Sequence, residues 1–325
     1  MKKIMNMLVF AAIGFATTAA PVSAAEQFPT RPIRIVVPYA PGGNVDISAR
    51  IIAPPLAEVL GQSVVVDNRP GAGGNLGASL VAKSTPDGHT LLVGSSGPLS
   101  VNPVIFKNLP YDSLKDFAPI STVQAVPLVL LASPKSGFNS VAEVIAAAKS
   151  RPGKVTMASA GAGTTNHFAI ELFAQMAGVR VLHVPYKGSG PALSELLGGQ
   201  VETMVDQLAA SIGYVKDGRL KVLAVTTAQR AVALPNVPTL DELGYKGFQA
   251  STLLGLLAPA GTPKPVVAKL NAAVRKVMDN NAVAERFRGL GANPGASSPE
   301  EFSTRIRDEL AQWRALVKKL DLKFE

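Results

Sequence analysis

The stretch Ile33–Leu60, IRIVVPYAPGGNVDISARIIAPPLAEVL, decides how the rest of the chain is read. Ile33, Ile35, Val36 and Val37 form a short apolar run suited to a buried strand. Pro38 to Gly43 is turn chemistry, and a helix follows, with Asn44 as its expected N-cap and Asp46 in its first turn. A strand that passes through a glycine-rich turn into a helix leaves backbone N–H groups unpaired at the helix start. Those donors and the helix dipole together favour a bound anion. The same grammar returns in Val155–Gly178, VTMASAGAGTTNHFAIELFAQMAG. There a strand over 155–159 enters Gly161-Ala162-Gly163, and Thr164 or Thr165 can cap the next helix. Two such mouths in one chain suggest two lobes facing a shared cleft, and a carboxylate-binding protein rather than an enzyme.

Working outward, Val64-Val65-Val66 reads as a strand, Gly71 to Ser84 as a second glycine-rich turn entering a helix, and Thr90 to Val93 as a third strand ending at Gly94-Ser95-Ser96-Gly97. Three strand–loop–helix units in succession predict a parallel sheet with right-handed crossovers. Pro119 to Ala132 is long and β-rich enough to leave one lobe and enter the next, and Thr252 to Ala258 is the expected return. Between them a second lobe repeats the order, with strand 181–184 running into Pro185 to Pro191, and strand 202–205 ending at Asp206-Gln207. The expected division is a leader over 1–25, a first lobe of 26–125 plus 250–325, and a second lobe of 126–249. Ligands of open α/β sheets lie beyond the carboxyl ends of the strands, so Gly43, Ser95, Gly163, Lys187 and Asp206 are expected at one crevice. Pro54-Pro55 predicts a kink or restart in the first helix. The last helix, starting at Ser298 or Pro299, is expected to lay Trp313 and Leu316 on the first lobe.

Composition agrees with this class. Hydrophobic residues make up 47% of the 325 and charged residues 17%, which excludes a disordered chain. With only 6% aromatics, the core falls to alanine, valine and leucine, as central parallel strands require. Lys2 and Lys3, the apolar run Leu8 to Ala20, and Val22-Ser23-Ala24-Ala25 read as a secretory signal peptide cleaved after Ala24 or Ala25. The absence of cysteine removes lipidation, disulfides and thiolate chemistry, so a soluble periplasmic protein is expected. Loss of Lys2 and Lys3 lowers the formal charge from +9 to +7. The remaining basic residues are scattered, without the basic run interleaved with aromatics that nucleic acid would favour.

A search for chemistry returns little. There is no nucleophilic cysteine, no HExxH or other metal-ligand spacing among His89, His167 and His183, and no GxSxG elbow. Gly71-Ala72-Gly73 is followed by Leu76 where a dinucleotide fingerprint needs glycine, and no GxxxxGK[ST] loop occurs, so no cofactor is expected. Plainer readings stand beside the binding ones. The glycine pairs can be tight turns, Lys187 a surface lysine, Asp206 a strand-end turn residue, His167 a structural donor and His183 a core or edge histidine.

Four segments, FPTRPIRIVVPYAPGGNVDISAR, VVVDNRPGAGGNLGASLVAKSTPDGHTLL, HVPYKGSGPALSELLGGQV and LAPAGTPKPVVAKLN, resemble the substrate-binding proteins of tripartite tricarboxylate transporters, the Bug or TctC-like family. The resemblance runs from Phe28 to the C-terminus. It implies a type II-like Venus-flytrap fold, two α/β lobes with mainly parallel sheets joined by crossing strands. The implied ligand is a di- or tricarboxylate, an acidic amino acid or an aromatic acid. One ligand carboxylate would be gripped by two loops, Tyr39, Ala40, Pro41, Gly42, Gly43, Asn44 and Asp46 on one side, and Ala160, Gly161, Gly163, Thr164, Thr165 and His167 on the other. Further contacts would come from Ser95, Ser96, Tyr186, Lys187, Gly188 and Asp206. Phe168 stands where the family has leucine, and Val205-Asp206-Gln207 replaces Phe-Asp-Asn, two departures that bear on pocket shape. The implied partners are one small and one large membrane subunit, with the receptor itself a monomer. Presentation of the ligand to a membrane signalling protein, or an exported enzyme acting on small acids, are the alternative readings.

Overall fold

The computed structural model describes residues 28–321, so the predicted signal peptide lies outside the described residues. The first unit is β1 (Ile33–Val37), α1 (Asn44–Leu60) and β2 (Val64–Asn68). It continues with a short turn of helix and α2 (Asn75–Ala82), then β3 (Thr90–Ser95). β1 pairs in parallel with both β2 and β3. Ile33, Ile35, Val36, Val37, Leu91 and Leu92 are fully buried, as strands covered on both faces should be. A wide helical turn, Gly97–Val101, runs into α3 (Asn102–Ile105) and leads to β4 (Phe117–Ala132).

β4 is the longest strand, at 16 residues, and it changes partners along its length. From Phe117 to Pro127 it lies antiparallel to β9 (Ser251–Pro259). From Leu128 to Ala132 it lies antiparallel to β7 (Thr203–Gln207). Here β8 (Lys221–Val225) pairs on its other side. The second unit holds α4 (Val141–Ser150), β5 (Thr156–Ser159), α5 (Thr165–Ala177), β6 (Leu182–Pro185), α6 (Ser189–Gly198) and, after β7, α7 (Leu208–Lys216). β5 is parallel to β6 and β7, so each lobe has a parallel block on the outer side of an antiparallel crossing. The resulting path, β2-β1-β3-β9-β4-β7-β5-β6, is one mixed sheet bent into two lobes. The chain closes with α8 (Lys264–Met278), α9 (Asn281–Gly289), the two-residue β10 (Asn293–Pro294) and α10 (Pro299–Leu320).

Three expectations need correction. Gly43, not Asn44, is the N-cap of α1, and it makes no side-chain cap bond. α1 also runs unbroken through Pro54 and Pro55. The carbonyls that lose an amide partner are those of Arg50, an exposed residue, and Ile51, a buried one, so the helix carries at least part of the usual cost of a mid-helix proline. Finally, α10 does not rest on the first lobe alone. Phe302 and Ile306 pack with Val36, Leu92 and Leu257 of the first sheet. Trp313 instead packs with Phe168, Leu172 and Phe173 of the second lobe, its ring 4.4 Å from that of Phe168. A helix of 22 residues is about 33 Å long, enough to span both lobes. Ser298 and Glu301 close its start with a capping box.

Candidate functional site

The carboxyl ends of the parallel strands in the two lobes face one another. Between them lies a small cavity of about 10 Å³, lined by Tyr39, Gly43, Asn44, Val45, Ala160, Thr164, Ser189 and Gln207. Six of these residues belong to four helix starts, α1 (Gly43 to Val45), α5 (Thr164), α6 (Ser189) and α7 (Gln207), while Tyr39 and Ala160 follow β1 and β5. α1, α6 and α7 have no side-chain cap, so their first amides keep unpaired hydrogens; Thr164 caps only the amide of His167. Four dipole ends with the same sign on one spot make a strong site for negative charge. No lysine or arginine lines it. A volume of this size holds about one water, so a larger ligand enters only if the lobes part.

The lobes touch through backbone. The Ala40 amide donates to the Lys187 carbonyl at 2.9 Å. Gly42 faces Gly190, and Gly43 faces Ser189. Gly73 lies so close to the Ala162 carbonyl that a side chain there would overlap it. Glycine at these places allows backbone to approach backbone.

Of the residues singled out in the sequence, Tyr39, Gly43, Asn44, Ala160 and Thr164 meet at the cavity. Tyr39 is buried, its hydroxyl 3.2 Å from Ser95 Oγ; burial, only partly offset by that bond, pushes its pKa up to about 12. Asp206, the residue before the end of β7, has no exposed surface. Its Oδ1 accepts from Ser189 Oγ at 2.6 Å and Asn166 Nδ2 at 3.2 Å, while Oδ2 has no protein partner. Burial pushes its pKa up to about 7 against the opposing bonds from Ser189, the Gln207 amide and Asn166. Gly188 is the N-cap of α6, Gly161 and Thr165 are buried beside the Thr164 cap, and Tyr186 is half-buried.

Other residues on that list are turned to different work. Asp46 accepts from the Gly42 amide, Arg50 and Asn68, so it ties down the turn. Burial would raise its pKa, but those bonds outweigh it and hold the carboxyl below the usual range. The Ser96 hydroxyl donates to Glu309 of α10 at 2.7 Å. Pro41, Gly42 and the Lys187 side chain are exposed at the rim. His167 presents its ring to a groove it shares with Glu171 and His183. There Nδ1 accepts from the Gly163 amide at 3.2 Å, and Nε2 lies 3.5 Å from Glu171. Ser189, Gln207 and Asn102 were not singled out. Ser189 was legible only as a residue ahead of a helix and Gln207 only as a strand end, since the helix it caps was not foreseen, and Asn102 reaches the Gly73 carbonyl through the irregular turn after β3.

The family model described as the tripartite tricarboxylate transporter family receptor matches residues 48–322. The chain belongs to this family. Protein BugT of Bordetella pertussis is 40% identical over 327 residues, covering 99% of this chain and all of that protein. The periplasmic binding protein BugD superposes with a TM-score of 0.87 at 37% identity, over 92% of this chain and all of its own. Rpa4515 of R. palustris with adipate gives 0.87 at 37%, over 91% and 99%. MatC from Rhodopseudomonas palustris with bound malate gives 0.86 at 36%, over 89% and 100%. This is a periplasmic solute-receptor family, so the chain is a binding protein of the two-lobed kind and not an enzyme. No helix among the described residues is long and apolar enough to cross a membrane.

Proposed function

We propose that the chain captures a small organic carboxylate between its lobes in the periplasm and delivers it to the membrane subunits, one small and one large, of a tripartite tricarboxylate-type transporter. The convergence of four helix N-termini on one cation-free cavity carries this reading. A carboxylate there is held by backbone donors. Hydrogen bonds to a charged group contribute roughly 1.5–3 kcal/mol each. Four to six of them, less the cost of ordering, reach the about 8 kcal/mol of a micromolar complex. Tyr39, Asn44, Thr164, Ser189 and Gln207 are the residues we assign to direct contact, with Asp206 behind Ser189. Malate and adipate in two relatives make short dicarboxylates the first candidates. The exchange of β4 partners near Pro127 and Leu128 supports lobe boundaries close to 126 and 250.

The test is a thermal-shift screen of unfolded, ligand-stripped and refolded protein against mono-, di- and tricarboxylates, acidic amino acids and neutral sugars. A ligand that binds only the folded state raises Tm by mass action. A shift with carboxylates and none with sugars is expected. A shift with neutral solutes alone would overturn the assignment.

A further inference from the structure

Beside the edge strand of the second lobe, α5 and β6 wall a polar groove of about 860 Å³ that reaches the cleft loop at Ala162. His167 and Glu171 stand one helical turn apart on α5 and therefore share a face. His183 of β6 stacks on His167 with ring centroids 4.1 Å apart. One ligand atom from each of the three lies within 4.8 Å of the other two, and no other such group occurs among the described residues. Gln175, Arg180 and Asp321 complete the rim. The carboxylate reading above makes no use of these side chains.

We propose that His167, Glu171 and His183 form a site for a divalent transition metal of the Zn²⁺ class, coupled to the ligand-facing loop of the second lobe. Two imidazoles and a carboxylate are the borderline nitrogen and oxygen donors such ions take, and three protein ligands leave an open position toward the groove. His183 is already oriented from behind: its Nε2 lies 2.7 Å from Ser159 Oγ, which leaves Nδ1 for the metal. The stacked rings are only 8° from parallel, so their in-plane nitrogens lie in nearly parallel planes and do not converge on one point. Capture of one ion therefore requires one ring to swing, which sets micromolar rather than nanomolar affinity.

The same geometry carries the coupling. His167 Nδ1 accepts the Gly163 amide, so the neutral ring keeps its proton on Nε2, facing Glu171. When Nε2 binds a metal, that proton moves to Nδ1, and the Gly163 amide loses its acceptor. Ser159 Oγ, bonded to His183, also accepts the Gly161 amide at 3.1 Å. Both amides belong to the loop that enters α5 at the cleft, so an ion in this groove reaches that loop through two hydrogen bonds.

The chain has three histidines and no cysteine, so a tag-free mature protein has few competing sites. EDTA-treated protein titrated with ZnCl₂ in a calorimeter should bind one ion at micromolar concentration. His183→Ala and Glu171→Gln should each weaken binding at least tenfold, with Tm in EDTA unchanged, and His89→Ala should leave binding intact. In ¹H–¹⁵N spectra the Gly161 and Gly163 amides should shift with the same saturation. No saturable binding, or binding that survives both His183→Ala and Glu171→Gln, overturns the site. Saturable binding with the Gly163 amide unmoved overturns the coupling.

Discussion

Asp206 is a carboxyl with no exposed surface, no cation beside it and one oxygen without a protein partner. Its pKa rises from an ordinary 3.8 to about 7, so folding favours the protonated form. The sign follows from linkage: between these values the native state holds a proton the unfolded chain has released, so stability falls as pH rises from about 4 to 7. At 1.36 kcal/mol per unit the loss is roughly 4 kcal/mol at most. Glu309, raised to about 7 by burial against its bonds from Ser100 and Ser96, adds to the same slope. Asp206→Asn keeps a group that can accept from Ser189 and removes the ionisation. Urea denaturation at pH 5 and pH 8 should show wild type losing stability at the higher pH, and the variant losing roughly half as much. Equal losses in the two proteins would show that Asp206 ionises freely. None of this was legible beforehand. Asp206 could be placed at a strand end, but the hydroxyl and amides around it come from Asn166 on α5 and Ser189 on α6, which local pattern does not bring together.

Individual elements were the most readable part of the chain, and the failures are instructive. β1, β4, β5 and β9 follow their apolar runs to within two or three residues, because strands buried on both faces leave an unbroken hydrophobic signature. Helix starts were readable from adjacent residue types: Thr164, one of two candidates, is the cap of α5, and α10 starts at Pro299 behind Ser298, although the capping box there was not foreseen. The course of α10 was not readable, because amphipathic spacing shows that a face is buried without showing against what. Phe168 owes its place to α10, since its ring packs 4.4 Å from that of Trp313. Trp313→Ala should cost about 3–5 kcal/mol, the range for emptying a buried aromatic site. Trp313→Phe should cost less than half of that, since the indole N–H has no partner to lose. Denaturant midpoints of the two variants check this ordering; equal, small losses would mean that the end of α10 is not docked on the second lobe.

The whole molecule works as a binding device only if the lobes can meet, and the sequence supplies glycine where they do. Gly190 gives the cleanest test. It lies in the first turn of α6 and not in the left-handed region, so alanine suits the isolated lobe and can even favour the helix. In the closed molecule, however, a Cβ on Gly190 would stand 2.5 Å from the Pro41 carbonyl of the facing lobe, and backbone cannot turn aside as a side chain can. Gly190→Ala should therefore leave the ligand-free Tm unchanged or slightly raised while weakening carboxylate binding at least tenfold. The two readouts separate closure from folding, since a variant damaged in its fold would lose both. Full affinity in Gly190→Ala would mean that the ligand is held with the lobes further apart, and that the four helix starts act on it from a wider cleft.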